Sequence, residues 1–186
     1  DAILNLRKQL IKKSIPVTYS SFPIYATPVG TAIRMFLKNG ISIPNTNNTE
    51  NTAIKMSLFS LNRLEFLDVL LSSDIYSKTL VLLDRSSFSN AVTIAYAISS
   101  EKECEEGNLE KLVDLALELD SLMIRKLNLE ECVIELVSEC KDWGNIRSEK
   151  RDLYEHRDVQ LLSNEIYKIY AKKIGEGWGQ IVTKDD

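Results

Sequence analysis

The residues of this sequence that most resemble a catalytic motif include its single histidine. His156-Arg157-Asp158 has the residue order that opens the catalytic loop of protein kinases, but the metal-binding Asn expected five positions after the Asp is Ser163. The sequence also lacks Asp-Phe-Gly. With one histidine, neither a His-based metal cluster nor a two-histidine mechanism can be built. We therefore predict that Asp158 is the N-cap of the last helix.

The three cysteines form no pattern typical of a nucleophile or a metal site. Cys132 and Cys140 fall on the apolar stripe of one predicted helix, about 12 Å apart along its axis, which is too far for a disulfide. There a free cysteine acts as a small core hydrophobe. Cys104 lies among glutamates, which disfavour a reactive thiolate. The pattern predicts no catalytic residue, metal or cofactor, and a reducing compartment, cytoplasmic or nuclear.

A glycine-rich run, Gly175-Glu-Gly-Trp-Gly, superficially resembles a phosphate-binding loop. It follows a predicted helix rather than a strand, and no Lys-Ser or Lys-Thr comes after it. We interpret it as a helix stop followed by a flexible tail. Trp178 within it either anchors the tail to the body or binds a partner, and the same two alternatives apply to Trp143 beside Gly144.

Basic residues form two clusters that are candidate partner-binding sites. Each is either a solvated face or a phosphate-binding patch. The net charge of −4 argues against a dedicated nucleic-acid binder. The candidates are Lys8, Lys12 and Lys13 in the first cluster, within 7–13, and Lys150, Arg151 and Arg157 in the second, within 150–157.

The elements that would position these residues are predicted to be helices. Apolar spacing, caps and stops indicate helices at 2–13, 28–39, 52–72, 74–83, 88–99 and 158–174. Two apolar runs, 79–83 and 91–96, could also be strands, and helix is favoured because their neighbours are helical. The intervening segments are predicted to be an extended surface linker at 14–26, a polar loop at 41–51 and an acidic loop at 100–107.

The strongest structural pattern covers residues 107–144. Two apolar stripes flank Asn128-Leu129-Glu130-Glu131, whose Asn and second Glu have the spacing of a helix-capping pair. We predict an antiparallel helical hairpin here, with its first stripe on Leu112, Leu115, Ala116, Leu119 and Met123, and its second on Cys132, Val133, Leu136, Val137 and Cys140.

These elements predict an all-α fold of seven or eight helices. The alternatives are a compact helical bundle or a short HEAT/armadillo-like stack of helical hairpins. We expect a single domain over 1–186, with 1–26 as an N-terminal arm and 175–186 as a flexible tail. The chain begins at Asp1, which suggests a fragment of a longer protein, and no apolar run is long enough to span a membrane.

The predicted function is a non-catalytic protein–protein interaction or assembly module of an intracellular complex, binding another protein or itself. A nucleic-acid-binding helical domain is the first alternative. The second, an enzyme using carboxylates, hydroxyls or a lysine, has no residue pattern behind it. The sequence therefore predicts that the chain is not an enzyme and identifies no small-molecule substrate.

Overall fold

A computed structural model describes residues 2–39, 47–71, 78–100, 108–127, 132–138, 154 and 156–183. Within these ranges one or two α-helices separate each strand from the next. The helices are α1 (Ala2–Lys12), α2 (Pro28–Asn39), α3 (Asn48–Leu71), α4 (Asn90–Ser100), α5 (Asn108–Leu127) and α6 (Arg157–Ile174). The strands are β1 (Val17–Ser21), β2 (Leu80–Asp84), β3 (Val133–Ser138) and β4 (Trp178–Thr183).

The four described strands form two parallel pairs. β1 pairs with β2 so that Val17 lies opposite Leu80 and Ser21 opposite Asp84. β3 pairs with β4 in the same way, from Val133 opposite Trp178. Parallel neighbours need a long crossover between them. In the first pair α2 and α3 lie on that crossover, and in the second pair α6 does.

The core lies around α4, which packs against α3, α5 and α6. Ala91, Ile94 and Ala95 on α4 are completely buried. They belong to one apolar cluster with Val113 of α5 and Ile166 of α6. Close packing of these buried side chains fixes the helices against one another. It therefore also fixes the positions of the strands that the helices connect.

The all-α prediction, as a bundle or as a HEAT/armadillo-like stack, is wrong. Residues 80–84 are β2, where helix was favoured, and 133–138 are β3, where the second helix of the hairpin was expected. Both segments are short apolar runs, and a parallel strand cannot be recognised from such a run when its partner is distant in the sequence. Cys132 consequently lies exposed just before β3 and not in the core.

Two segments expected to be irregular also contain strands. β1 lies within the predicted linker at 14–26, and β4 lies within the predicted tail at 175–186. The prolines of the linker fall outside β1, so they remove no hydrogen bond from its ladder. The division into one domain with an arm and a tail stays a prediction.

The helix predictions are confirmed within two residues for α1, α2, α4 and α6, and 91–96, which could also have been a strand, lies in α4. The first helix of the predicted hairpin is confirmed as α5. Helix α3 starts at Asn48, inside the predicted polar loop. Its start is fixed by a reciprocal cap, in which Glu50 N–H donates to Asn47 Oδ1 and Asn47 N–H donates to Glu50 Oε2, both at 2.9 Å. Asp158 lies in the first turn of α6, and the N-cap position belongs to His156. Among the described helices, none combines the length and apolar content that a membrane crossing needs.

Candidate functional site

Polar side chains converge where β1 and β2 end. Asp84, the last residue of β2, accepts hydrogen bonds on Oδ2 from the hydroxyls of Tyr19 at 3.3 Å and Ser21 at 3.1 Å. The Phe22 N–H donates to the Asp84 carbonyl at 2.9 Å, which extends the β1–β2 pairing by one step. In open α/β sheets, ligands bind outside the carboxyl ends of parallel strands. This edge is therefore the candidate site.

The turn after β2 holds a charged side chain in an unusual backbone conformation. Arg85 has φ +65° and is exposed. Non-glycine residues in this left-handed region cost free energy and are held there by the surrounding structure. Here the following residues hold it, because Ser86 Oγ accepts from the Phe88 N–H while Ser89 Oγ accepts from the Ser86 N–H. The cap therefore orders the backbone directly after Arg85, whose exposed side chain lies next in sequence to Asp84.

A second arginine lies buried under this turn. Arg63 of α3 donates from Nη2 at 2.7 Å and from Nε at 3.2 Å to Oδ1 of Asp120 on α5, and Nη2 also donates to Ser60. The Arg63 and Asp120 side chains are only 7% and 3% exposed. Burial raises the pKa of Asp120, and the charge and hydrogen bonds of Arg63 oppose that rise. The pair locks α3 to α5 behind the site.

The loop that leaves β1 is fastened to α3 by one amide side chain. Asn62 is 1% exposed. Its Oδ1 accepts from the Ile24 N–H at 2.8 Å, while its Nδ2 donates to the Ile24 carbonyl and to Thr27 Oγ1. Thr27 in turn caps α2 by accepting from the Gly30 N–H at 3.0 Å. Asn62 therefore positions both the loop and the start of α2.

Glu65, one turn along α3 from Asn62, adds further hydrogen bonds between α3 and the start of α2. It accepts from the Val29 N–H in the first turn of α2 at 3.3 Å and from Asn62 Nδ2 at 3.2 Å. Burial tends to raise the pKa of Glu65, but hydrogen bonds from Thr27, Val29 and Asn62 outweigh it, so the pKa lies below its usual value. A carboxylate at a helix N-terminus is also favoured by the helix dipole.

An aromatic cluster reaches the same helix at Phe59, one turn before Arg63. Rings of Phe36, Phe59, Tyr96 and Tyr154 pack with centroids between 5.5 and 6.5 Å apart. The Lys55 ammonium lies 5.6 Å from the Phe36 ring centroid and 5.8 Å from that of Tyr96. Since Phe59 and Arg63 are four residues apart, they share one face of α3. That face thus carries the Phe59 ring next to the buried Arg63 guanidinium.

The structure places the sequence-predicted basic residues at exposed positions on or beside α1 and α6, or they lie outside the described ranges. Lys8, Lys12 and Lys13 are exposed on α1 and just after it, and Arg157 is exposed at the first position of α6. Lys150, Arg151 and Trp143 lie outside the described residues. Partner binding by these residues stays a prediction.

Trp178 is packed inward as the first residue of β4. Its ring centroid lies 5.0 Å from that of Phe88 and 6.3 Å from that of Tyr167, and its indole N–H donates to Glu135 Oε2 at 3.0 Å. These contacts match the anchoring alternative. They also connect β4 to the turn after β2.

Comparison with known proteins identifies the fold. The chain is similar to the solved structure of thymidylate kinase from Candida albicans, with a TM-score of 0.61 and 16% sequence identity, over 96% of this chain and 77% of that chain. No family model and no curated protein sequence matches the chain. At this identity, the match establishes an α/β fold shared with a kinase.

This fold overturns the expectations that depended on helical repeats. The predictions of a non-catalytic assembly module, of a nucleic-acid-binding helical domain and of a scaffold are wrong, since the chain shares the α/β fold of a thymidylate kinase. The predictions that the chain is not an enzyme and has no small-molecule substrate are wrong for the same reason. The prediction that the chain is not an enzyme rested on the absence of a catalytic sequence motif, and a site assembled from distant strand ends need not leave one.

Sequence reasoning missed every residue of the candidate site. One signal was available for part of it. Asp84-Arg85-Ser86 follows directly on the apolar run 80–83, and polar residues directly after a buried run are expected at the carboxyl end of a strand. No local signal connects Asp84 to Tyr19, or Arg63 to Asp120.

Proposed function

We propose that this chain is a nucleotide kinase-type domain that binds a nucleoside monophosphate at the carboxyl ends of β1 and β2. The observation that carries the proposal is the cluster of Asp84, Arg85, Tyr19 and Ser21 at this edge, in a fold shared with a thymidylate kinase. Binding outside the carboxyl ends of parallel strands is the general rule for such sheets.

The chemistry of the site suits the two ends of a nucleotide. A base is flat and apolar on its faces, and the Phe59 side of the aromatic cluster offers matching rings. A phosphate is recognised best by a guanidinium, which Arg85 presents in the turn and Arg63 carries on the face shared with Phe59. Asp84 accepts hydroxyl hydrogen bonds already and could accept one from a ribose or deoxyribose.

Phosphoryl transfer depends mainly on positioning and electrostatic stabilisation, so fixed arginines are the expected contribution of this chain. The Ser86–Ser89 cap orders the backbone directly after Arg85, and Asp120 holds the Arg63 guanidinium. The 186 residues contain no G-x-x-x-x-G-K-[ST] sequence. The proposal therefore concerns the nucleoside monophosphate half of the site.

Titration calorimetry with thymidine monophosphate tests this proposal. The unmodified chain is expected to bind, and Arg85→Ala is expected to bind about tenfold more weakly, the loss typical of one charge-assisted hydrogen bond. Lys168→Ala is the matched control, because Lys168 is an exposed cation paired with Glu165 on α6. A coupled assay with ATP measures phosphoryl transfer in parallel.

Two results would contradict the proposal. One is an unmodified chain that binds thymidine, uridine and adenosine monophosphates no better than it binds inorganic phosphate. The other is equal binding by Arg85→Ala and Lys168→Ala. Binding without transfer would support the monophosphate site and leave the donor site to be tested separately.

A further inference from the structure

Phe88 connects the turn that carries Arg85 to the rest of the molecule. It is 5% exposed and is the middle residue of a single 3₁₀ turn, Ser87–Ser89. Residues 85–89 are termed the Arg85 turn below. The hydrogen bonds of the serine capping box lie within this turn, so they fix its shape and not its position in the molecule. The position depends on contacts made from other elements.

Two aromatic rings from distant elements pack against the ring of Phe88. The ring centroid of Tyr170 on α6 lies 5.3 Å from that of Phe88, with the planes at 79°. The centroid of Trp178 on β4 lies 5.0 Å from it, with the planes at 84°. Both are edge-to-face pairs, a geometry that contributes more than the buried apolar area alone. Tyr170 belongs to the buried core, so Trp178 is the contact that comes from the second sheet.

The Trp178 side chain has a fixed orientation. Its indole N–H donates to Glu135 Oε2 at 3.0 Å, and Gln180 Nε2 donates to the same oxygen at 2.7 Å. Glu135 lies opposite Gln180 in the β3–β4 pairing, and side chains alternate along a strand, so these three residues share one face of the sheet. The ring of Tyr167 on α6 packs against the indole there, at 6.3 Å between centroids. The indole therefore cannot turn away from Phe88 without breaking its own hydrogen bond.

Tyr167 also lies close to the Arg85 turn. Burial is the main cause of the raised pKa of Tyr167, and the nearby Ser89 hydroxyl and the charge of Arg85 act in the opposite direction. Tyr167 is thus near both ends of the turn while its ring contacts Trp178. Trp178 and Tyr167 together form one aromatic surface against the Arg85 turn.

We infer that Trp178 is a positioning residue of the monophosphate site, which holds the Arg85 turn in place through Phe88 so that the Arg85 guanidinium meets the phosphate. Trp178 itself contacts no ligand in this role. Arg85 has φ +65°, a conformation that persists only where the surrounding structure imposes it. Loss of the contact with Phe88 therefore allows the turn to move or relax. The inference rests on the proposed function, because its effect on binding is exerted through Arg85.

A double-mutant cycle on thymidine monophosphate binding tests the inference. Titration calorimetry compares Trp178→Leu in the parent chain with Trp178→Leu in the Arg85→Ala chain. Binding is expected to weaken about five- to tenfold in the parent and less than about twofold in the Arg85→Ala chain, where no guanidinium remains to be misplaced. Trp178→Phe keeps a ring against Phe88 and is expected to retain most of the binding. Ile181→Ala, exposed on the opposite face of β4, is the matched control and is expected to bind like the parent.

A second variant keeps the cycle informative if Trp178→Leu does not fold. Phe88→Leu removes the same ring contact from the side of the turn and leaves an apolar side chain in the core. The same pattern is expected for it, with weaker binding only where Arg85 is present.

Hydrogen exchange without ligand separates this inference from the proposed function. The Ser89 amide donates to the Ser86 carbonyl at 3.0 Å within the turn, and in Trp178→Leu it is expected to exchange about tenfold faster. The Phe22 amide, which donates to the Asp84 carbonyl beside β2, is the internal reference and is expected to keep its rate.

Three outcomes decide the matter. Equal weakening of binding by Trp178→Leu with and without Arg85 would overturn the inference, because it would indicate a general loss of structure. Unchanged binding together with unchanged exchange of the Ser89 amide would overturn it as well. Faster exchange of the Ser89 amide, in a chain whose parent binds no nucleoside monophosphate, would support the positioning of the turn by Trp178 and contradict the proposed function alone.

Discussion

The buried pair of Arg63 and Asp120 offers the sharpest test of the packing behind the site. Replacing Asp120 with Ala leaves the Arg63 guanidinium without a counter-ion in surroundings where both side chains are less than a tenth exposed. Breaking such a pair by removing one partner costs about 3–5 kcal/mol. A domain of ordinary stability has about 5–15 kcal/mol in total, so the loss is a large fraction of it.

Urea unfolding at pH 7 measures this loss. With a slope of about 2 kcal/mol per M, the midpoint should fall by roughly 1.5–2.5 M. Asp114→Ala is the matched control, because Asp114 meets Lys173 at the same 2.7 Å separation but with side chains 61% and 35% exposed. Water can solvate the Lys173 ammonium there, so the urea midpoint of Asp114→Ala should not differ measurably from that of the parent.

A double variant, Arg63→Met with Asp120→Leu, separates a lost charge partner from lost packing. Because no unpaired charge remains, it should recover a large part of the stability lost in Asp120→Ala. The reasoning would be refuted by an Asp120→Ala variant within about 1 kcal/mol of the parent, the range of an exposed pair. It would be refuted equally by a double variant that is less stable than the single one.

Three further changes test the loop after β1. Gly30→Ala should lower stability by about 1–3 kcal/mol or more in thermal unfolding, since the new Cβ would lie 1.9 Å from the Ile24 carbonyl oxygen. The control Gly179→Ala, whose Cβ would meet nothing closer than 3.8 Å, should be near neutral. Equal effects of the two substitutions would contradict the close packing at Gly30. Asn62→Ala should cost about 1–3 kcal/mol by chemical denaturation, because the Ile24 N–H loses its acceptor, although the Ile24 carbonyl keeps its hydrogen bonds from Thr27. An unchanged midpoint would show that the loop is held by other contacts. Glu65 has a lowered pKa in the folded state, so its contribution to folding stability is present above the usual pKa of 4.5 and is lost as the pH falls through the folded pKa. Glu65→Gln should therefore flatten the dependence of stability on pH in that acid range. An unaltered slope would argue against the lowered pKa of Glu65.

The fold could be predicted from the sequence only where the signal was local. Helix α2 shows this well, because Thr27, Pro28 and the stop at Asn39-Gly40 lie within the helix or beside it. The reciprocal Asn47–Glu50 cap was equally local but went unrecognised, and it moved the start of α3 into a predicted loop. Apolar runs of five or six residues, such as β2 and β3, carry too little periodicity to separate strand from helix.

The sequence by itself determined the long helices, because helical hydrogen bonds and apolar spacing involve residues three or four positions apart. Only the tertiary structure decided the strands and the site. The Ser21 hydroxyl and its Asp84 partner are 63 residues apart, and the Arg63–Asp120 pair spans 57. A parallel strand is stabilised by a neighbour that it reaches only through a long crossover. Whether a segment forms a strand therefore depends on the assembled sheet, and so does the edge at which the last side chains of neighbouring strands converge.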